Sequence, residues 1–422
     1  PFLLSLVAFR LQRSCTRHRR LYASVAMSVL FVFRLAALVS PGMVLGEPLL
    51  SDGLVVRLQR VAGNGTHFYV GRLSVGEPKQ SFSVLFDTAS GHVLLPHGSC
   101  KSPACQKHHK FLPWKSHTAM DVNSDSQPVQ KEHHIAMGKV KRDAVTLEFS
   151  QADLGEGIAE AILVKDQVCL GTDPNNQLCT DVDVMAALKM ERSMFEEMPY
   201  DGIVGLGLGG LSAETGSDFF SRLLASHDRM VPQIGLSLGA QSGELYLGHH
   251  EVKRMAEDLI WFPVLHPEDG FWEVEVKAVR LGNLTLDHCA KGCRGIIDTG
   301  ASRLGVQKEN FDTLKNALSM ATPLVGGGCG GESLDFDLGE MVLRLRVEDY
   351  VAGHDCVPQL GSLDLDPKEF QGVYAFGEAT LRQYYTALDW QMRRIGFAPT
   401  KPRRVPLKRP RVQAKTAQVY TV

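Results

Sequence analysis

Two short stretches of this chain end an apolar run on the same kinds of residue. Asp87, Thr88, Ala89 and Ser90 follow SFSVLF, and more than two hundred positions later Asp298, Thr299, Gly300 and Ala301 follow GII. One such stretch is ordinary turn composition. Two copies in matching hydrophobic settings point to chemistry that needs a pair. Two carboxylates held about 3 Å apart in a restricted dielectric cannot both ionise cheaply, so one keeps a proton while the other stays charged. Such a pair is general acid and general base at once. The charged member takes a proton from a bound water that attacks a carbonyl, and the protonated member stabilises the oxygen and then protonates the leaving amine. The pair titrates as a unit, so the sequence assigns the proton to neither Asp87 nor Asp298.

That chemistry requires each Asp to stand at the end of a rigid element. Val84, Leu85 and Phe86 before the first Asp, and Ile296 and Ile297 before the second, read as short buried strands opening into turns. The surrounding pattern agrees. Residues 54–96 read as three strands with turns at Gly-Asn-Gly and Gly-Glu-Pro. Residues 107–135 are polar, His-rich and aperiodic, which predicts a long loop. Strands are expected over 144–149 and 159–164, the latter leading into a disulfide-closed loop over 169–179. MPYDGIVGLGLGG at 198–210 reads as a strand running into glycines, with a helix after it at 218–225. Further strands are expected over 234–238, 244–247, 261–264 and 271–279, and a helix over 308–317. Each half holds strands, an Asp-Thr turn, more strands and an apolar-apolar-Gly segment, which is a weak internal duplication.

At 422 residues the chain exceeds the size at which one core stops growing, so two domains or one bilobal unit are expected. The 40 glycines and the many short apolar runs argue for an all-β body. The division expected is an N-terminal extension over 1–46, an N-terminal lobe over 54–230 with Asp87, a C-terminal lobe over 231–400 with Asp298, and a tail over 401–422. A net charge of -2 gives no reason to expect a nucleic-acid partner. The tail is the exception in charge: Lys401 through Lys415 carries seven Lys or Arg and no acid, and reads as solvated and disordered. Met27 reads as an initiator, and the apolar run from there to Gly46 as a secretory signal, interrupted by Arg34. An uncleaved run over 27–46, with basic residues 10–20 ahead of it, would instead anchor the chain in a membrane.

Cys15 lies in the extension, and the other eight cysteines fall as the local pairs Cys100/Cys105, Cys169/Cys179, Cys289/Cys293 and Cys329/Cys356. Local pairing of this kind indicates disulfides that staple loops, and an extracellular or luminal vesicular compartment. The rival reading at Cys100 and Cys105 is zinc, because His108 and His109 follow and His92, His97, His117, His133 and His134 are near; zinc sites favour tighter spacing. Asn64 and Asn283 head the sequons NGT and NLT, glycosylation candidates on surface turns.

With these residues in view, the chain resembles the pepsin-like aspartic proteases over roughly residues 56–400. YDGIVGLG at 200–207 looks like the hydrophobic-hydrophobic-Gly segment beneath the first catalytic loop, and YAFGEATLRQYYTALDWQMRRIGFAP at 374–399 looks like its C-terminal counterpart with the closing strands. GCRGIIDTGAS at 292–302 is close to the second catalytic motif. Cys289 and Cys293 fit the small disulfide that precedes it, and Cys100 and Cys105 match the small loop after the first motif. The resemblance implies a bilobal all-β fold with the active-site cleft between the lobes, and an Asp87/Asp298 dyad hydrolysing peptide bonds through an activated water. It implies support from Thr88, Ser90, Thr299 and Gly300, with Thr88 and Thr299 bonded across the two loops. No cofactor or metal is implied, and a monomer with a peptide or protein substrate in the cleft is expected.

The departures from the pattern are specific. Ala89 stands where the family has Gly, at a cost that depends on the sign of its φ. Ser90 can bond the outer oxygen of Asp87, whereas Ala301 cannot do so for Asp298; a lost donor raises a carboxylate pKa and favours a less acid working range. Lys131 stands where a substrate-covering Tyr belongs, and Leu94 where a bracing Trp belongs, so the flap closes over water less well. About ten residues separate Gly46 from the first body strand, too few for the usual inhibitory prosegment. These departures carry the alternative, a catalytically impaired protease-like protein that binds peptides or a protein partner.

Overall fold

The computed structural model describes residues 53–63, 65–129, 143–151, 155–173, 176–212, 218–325, 327–365 and 370–401. The fold is all-β and bilobal, built around a strand pattern that occurs twice. In the first half, strand Gln80–Asp87 runs parallel to Gly202–Gly205, with Val84 opposite Gly202 and Asp87 opposite Gly205. Gly202–Gly205 is in turn antiparallel to Val93–Pro96, which runs parallel to Asn176–Glu191. In the second half, Cys293–Ile297 runs parallel to Val373–Phe376, that strand is antiparallel to Leu304–Gln307, and Leu304–Gln307 runs parallel to Leu360–Leu363. The same parallel, antiparallel, parallel order in both halves is the physical form of the duplication in the sequence.

The first of these patterns belongs to a 14-stranded sheet and the second to a five-stranded one. The larger sheet also draws in strands from late in the chain. Tyr384–Asp389 and Arg394–Pro399 reach it through Gln233–Leu238 and Ser242–Leu247, and Ser242–Leu247 pairs with the opening strand Leu54–Gly63. The two halves therefore share a continuous hydrogen-bonded floor. Burial follows the strand period: Leu54, Val56 and Leu58 point inward while Val55 and Arg57 face solvent. Strands crossing the middle are buried on both faces, as Gly202–Gly205 and Val93–Pro96 are.

Several expectations change in detail. The stretch over 169–179 is not a loop closed by a disulfide but the end of a long hairpin, Gly155–Asp173 with Asn176–Glu191, in which Cys169 and Cys179 face each other directly. A cross-strand cystine pins register there instead of stapling a loop. Within 107–135, the described residues include a turn of 3-10 helix at Pro113–Lys115 and the strand Met120–Val122, which finds its partner in Gly155–Asp173. The run 271–279 divides into Glu273–Val276 and Ala278–Leu281, which enter different sheets. The helix at Phe219–Ser226 starts where Asp218 caps it, its carboxylate accepting from the Ser221 N–H.

All four cysteine pairs are bonded, with S–S distances of 2.08, 2.09, 1.97 and 1.91 Å in chain order. Beside the first, His109 turns to the Asp201 carboxylate and His108 to the Phe195 carbonyl, so Cys100 and Cys105 hold each other and not a shared ion. The last pair corrects the reading of it as a local loop staple. Cys329 sits on the strand Cys329–Gly330, which pairs with Thr322–Pro323, whereas Cys356 ends the turn between Val351–Ala352 and Val357–Pro358. Their bond closes 27 residues and joins two separate small hairpins. Cys356 is buried and has a φ of 54°, a left-handed backbone that favours glycine, so its place depends on the tertiary bond and not on turn preference.

Asn283 is exposed on the turn between Ala278–Leu281 and Leu284–Thr285. Asn64, Lys131, the apolar run over 27–46 and the tail from 402 lie outside the described residues. Among the described residues no helix is long and apolar enough to cross a membrane.

Candidate active site

Asp87 ends its strand and Asp298 directly follows Cys293–Ile297, so each carboxylate is carried by a strand buried in its half. Both are buried, at 4% and 0% exposure. Under each turn passes the glycine of the apolar-apolar-Gly segment. A Cβ on Gly205 would lie 2.5 Å from the His92 nitrogen and the Ser90 carbonyl oxygen, and one on Gly377 would collide with the carbonyl oxygens of Ala301 and Arg303. Only glycine lets the supporting strand run that close. The contacts are also hydrogen-bonded: Leu206 N–H donates to the Asp87 carbonyl at 2.7 Å, and Asp298 N–H to that of Phe376 at 3.2 Å.

The two turns are joined by a reciprocal exchange. Thr299 N–H donates to Thr88 Oγ1 at 3.1 Å while that hydroxyl donates to the Ile297 carbonyl at 2.7 Å. Thr88 N–H donates to Thr299 Oγ1 at 3.0 Å, and that hydroxyl donates to the Phe86 carbonyl at 2.6 Å. Each threonine thus bonds the main chain just before the opposite Asp. Four such bonds, each worth about 1 kcal/mol net, tie the halves together at the floor of the site.

The carboxylates are set by their own turns. Asp87 Oδ1 accepts from Ala89 N–H at 2.9 Å, and Asp298 Oδ1 from Gly300 N–H at 2.8 Å and Ala301 N–H at 3.1 Å. A Cβ built on Gly300 would stand 3.0 Å from Asp298 Oδ1 and 3.1 Å from Asp87 Oδ1, so one point touches both side chains. The two oxygens are separated by no more than the sum of those distances. Burial pushes the Asp87 carboxyl above the usual carboxylate range, and the hydrogen bond from Ala89 N–H pulls part of the way back. Beneath the turn, His92 is held neutral by burial, its pKa lowered to about 3, and so adds no charge.

Ala89 is fully buried, and its φ is not in the left-handed region, so the residue in place of Gly carries no backbone penalty. Its methyl joins an apolar cluster with Leu211 and with Phe271, Ile296 and Ala375 of the second half. Leu94 is buried in Val93–Pro96 opposite Ile203 and Met185.

Two supports have no motif of their own. Trp272 Nε1 donates to the Leu206 carbonyl at 2.9 Å, tying the second half to the turn under Asp87. Glu378, buried, receives Arg60 from the opening strand at 2.7 Å and Arg382 at 3.4 Å, while its N–H bonds the Ala301 carbonyl at 2.9 Å. A tryptophan in an apolar run and an acid after Phe-Gly are signals too common to read alone.

Comparison with known proteins agrees with this geometry. The sequence matches the family described as eukaryotic aspartyl protease over residues 68–152 and 150–400. It is similar to cathepsin E of Aquarana catesbeiana, 26% identical over 346 residues that make up 78% of this chain and 79% of the relative. Similar relatives include gastricsin of Cavia porcellus, 27% identical over 344 residues (78% and 79%), and pepsin B of Canis lupus familiaris, 25% identical over 345 residues (78% and 81%). With two matching half-patterns meeting at paired Asp-Thr turns and a family match across most of its length, the chain belongs to the eukaryotic aspartyl protease family.

Proposed function

We propose that the chain is an aspartic endopeptidase in which Asp87 and Asp298 share one proton and activate a water against a peptide bond. The observation that carries this reading is the convergence of the two carboxylates on the point above Gly300. Burial favours the shared proton, because two charges there would face each other without water to screen them. The peptide lies extended across the cleft between the halves, offering its carbonyl to the water. Thr88 and Thr299 position the turns, Ser90 supports the turn after Asp87, and Gly300 leaves room for the water. Four disulfides fit folding in the secretory pathway.

The test is Asp298→Asn, with Asp87→Asn beside it, on a peptide library between pH 3 and 7. Asn keeps the shape but neither accepts nor shares a proton, so cleavage falls to background while the urea melt stays cooperative. Cleavage that survives in material free of contaminating protease refutes the dyad. A folded wild type that binds peptides and cuts none supports the binding alternative, which rests on Leu94 and Lys131 and loses Ala89, since that residue is unstrained.

A further inference from the structure

From Thr88 to Met120 the chain holds no Asp or Glu, yet it carries Lys101, Lys107, Lys110 and Lys115. With a net charge of -2 for the whole chain, this is a local concentration of positive charge and not a property of the molecule. Lys101, Lys107 and Lys115 are exposed and Lys110 is half-buried, and among the described residues none of the four has an ion-pair partner. Lys107 and Lys110 donate instead to main-chain carbonyls, of Glu196 at 2.9 Å and of Cys100 at 2.8 Å, which fixes each ammonium without neutralising it. The carboxylates around the segment do not cancel it. Asp201 is already occupied by the N–H groups of Ser83 and His109, each at 2.9 Å, while Glu77, Glu196 and Glu197 are exposed at its margins.

One turn gathers these groups around an aromatic face. Cys100 N–H donates to the His97 carbonyl at 2.8 Å, and the Cys100 carbonyl, which directly precedes Lys101, is the one that accepts from Lys110. Trp114 lies on the same turn: a Cβ on Gly98 would stand 2.3 Å from its Cη2, and its ring meets that of His97 edge-on at 5.6 Å between centroids. The indole is nevertheless 62% exposed, in a residue type that is mostly buried because its burial stabilises so much. Its support is rigid. Gly98 N–H donates to the Phe111 carbonyl and Phe111 N–H to that of Pro96, both at 2.7 Å, Leu112 N–H donates to Gln80 Oε1 at 2.8 Å, and the Cys100–Cys105 bond closes the loop. A ligand would meet this surface already formed and order little of it on binding.

We propose that this face, with Lys101, Lys107, Lys110 and Lys115 beside Trp114, binds a sulfated polysaccharide. The ammoniums, compact point charges, pair with sulfates along the sugar chain, and the indole packs its flat side against the C–H face of a sugar ring. A bilayer fits less well: Leu112 and Pro113 next to the indole are half-buried, so one aromatic side chain projects where stable adsorption needs an apolar face. Nucleic acid offers the same kind of charge, but the four disulfides fit a compartment in which sulfated glycans are the polyanions met. The inference is independent of peptide cleavage, since the surface would hold the chain to a glycan whether or not it cuts.

The probe is heparin, titrated calorimetrically against the full chain at neutral pH and several salt concentrations, with desulfated heparin, phosphatidylserine vesicles and a DNA duplex as comparators. The wild type should bind heparin, more weakly as salt rises, and leave the desulfated chain unbound. Lys101→Gln with Lys115→Gln removes two exposed ammoniums that make no side-chain contact among the described residues, so folding is unaffected. Affinity should then fall about 25-fold, roughly fivefold for each ammonium facing an anionic surface. Lys253→Gln with Lys291→Gln makes the same change in net charge at exposed positions elsewhere and should keep affinity within about twofold. Trp114→Ala should lose about three- to tenfold with the salt dependence unchanged, because the contact it removes is uncharged. No binding by the wild type, equal losses in the two lysine pairs, an unchanged affinity in Trp114→Ala, or vesicles or duplex bound as tightly as heparin would each overturn the assignment. So would full affinity in the Lys101 and Lys115 variant, which would move the binding elsewhere, as to the basic residues after Lys401.

Discussion

Replacing Gly300 by Ala probes the site at the point where both carboxylates converge. The backbone tolerates the change, because Gly300 does not have the positive φ that L-residues avoid. The new methyl would sit 3.0 Å from Asp298 Oδ1, 3.1 Å from Asp87 Oδ1 and 3.4 Å from Asp87 Cγ, the first two closer than carbon normally approaches oxygen. Neither oxygen is free to retreat, since Ala89 N–H holds one and the Gly300 and Ala301 N–H groups hold the other. Displacing one carboxylate gives up a hydrogen bond to a charged group, about 1.5–3 kcal/mol. The methyl also occupies the space assigned to the attacking water. We expect kcat/KM on a quenched fluorescent peptide to fall by roughly two to three orders of magnitude, about 3–4 kcal/mol in the barrier. Stability in urea should fall by only about 1–2 kcal/mol, because the strain stays local. The opposite change, Ala89→Gly, removes a buried methyl worth about 0.8 kcal/mol. It also adds backbone freedom worth about 0.5–1 kcal/mol, so it should cost about 1–2 kcal/mol of stability with kcat/KM within a few-fold of wild type. A folded Gly300→Ala protein with wild-type kcat/KM would refute the placement of the reacting water between the carboxylates.

Two further predictions concern stability. Asp87 has a folded pKa raised by burial, so the unfolded chain releases that proton first as pH rises. The associated stability is full below the unfolded value of about 3.9 and is lost as pH rises through the folded one. Urea midpoints should decline over that window in the wild type and flatten in Asp87→Asn; parallel curves would show that the carboxyl titrates normally. Glu378→Gln leaves Arg60 and Arg382 facing a neutral amide, and since both arginines keep some solvent contact we expect a loss of about 1–3 kcal/mol. A midpoint unchanged at both low and high salt would mean the cluster contributes only packing.

Much of this protein is legible in its residues alone, because the signals are local. An apolar strand that opens on Asp-Thr is decided within a few residues, by side-chain shape and turn chemistry, and it occurs twice. The close pairs Cys100/Cys105 and Cys289/Cys293 likewise need no long-range information. The register of the hairpin carrying Cys169 and Cys179 does need it, since loop and strand differ there only in which backbone groups find partners. Cys356 needs it too, because it meets Cys329 only where two hairpins come together. The sign of φ at Ala89 is open in the chain for a related reason: contacts from Leu211 and from Phe271 and Ile296 of the second half surround that turn. The role of Glu378 cannot be read from its motif, because what distinguishes it is two arginines that only the fold brings to it. The sequence by itself determined that two carboxylates would stand at strand ends in similar surroundings. Only the tertiary structure brought them together, because the threonine exchange joins segments 211 residues apart and exists only once both halves have folded against each other.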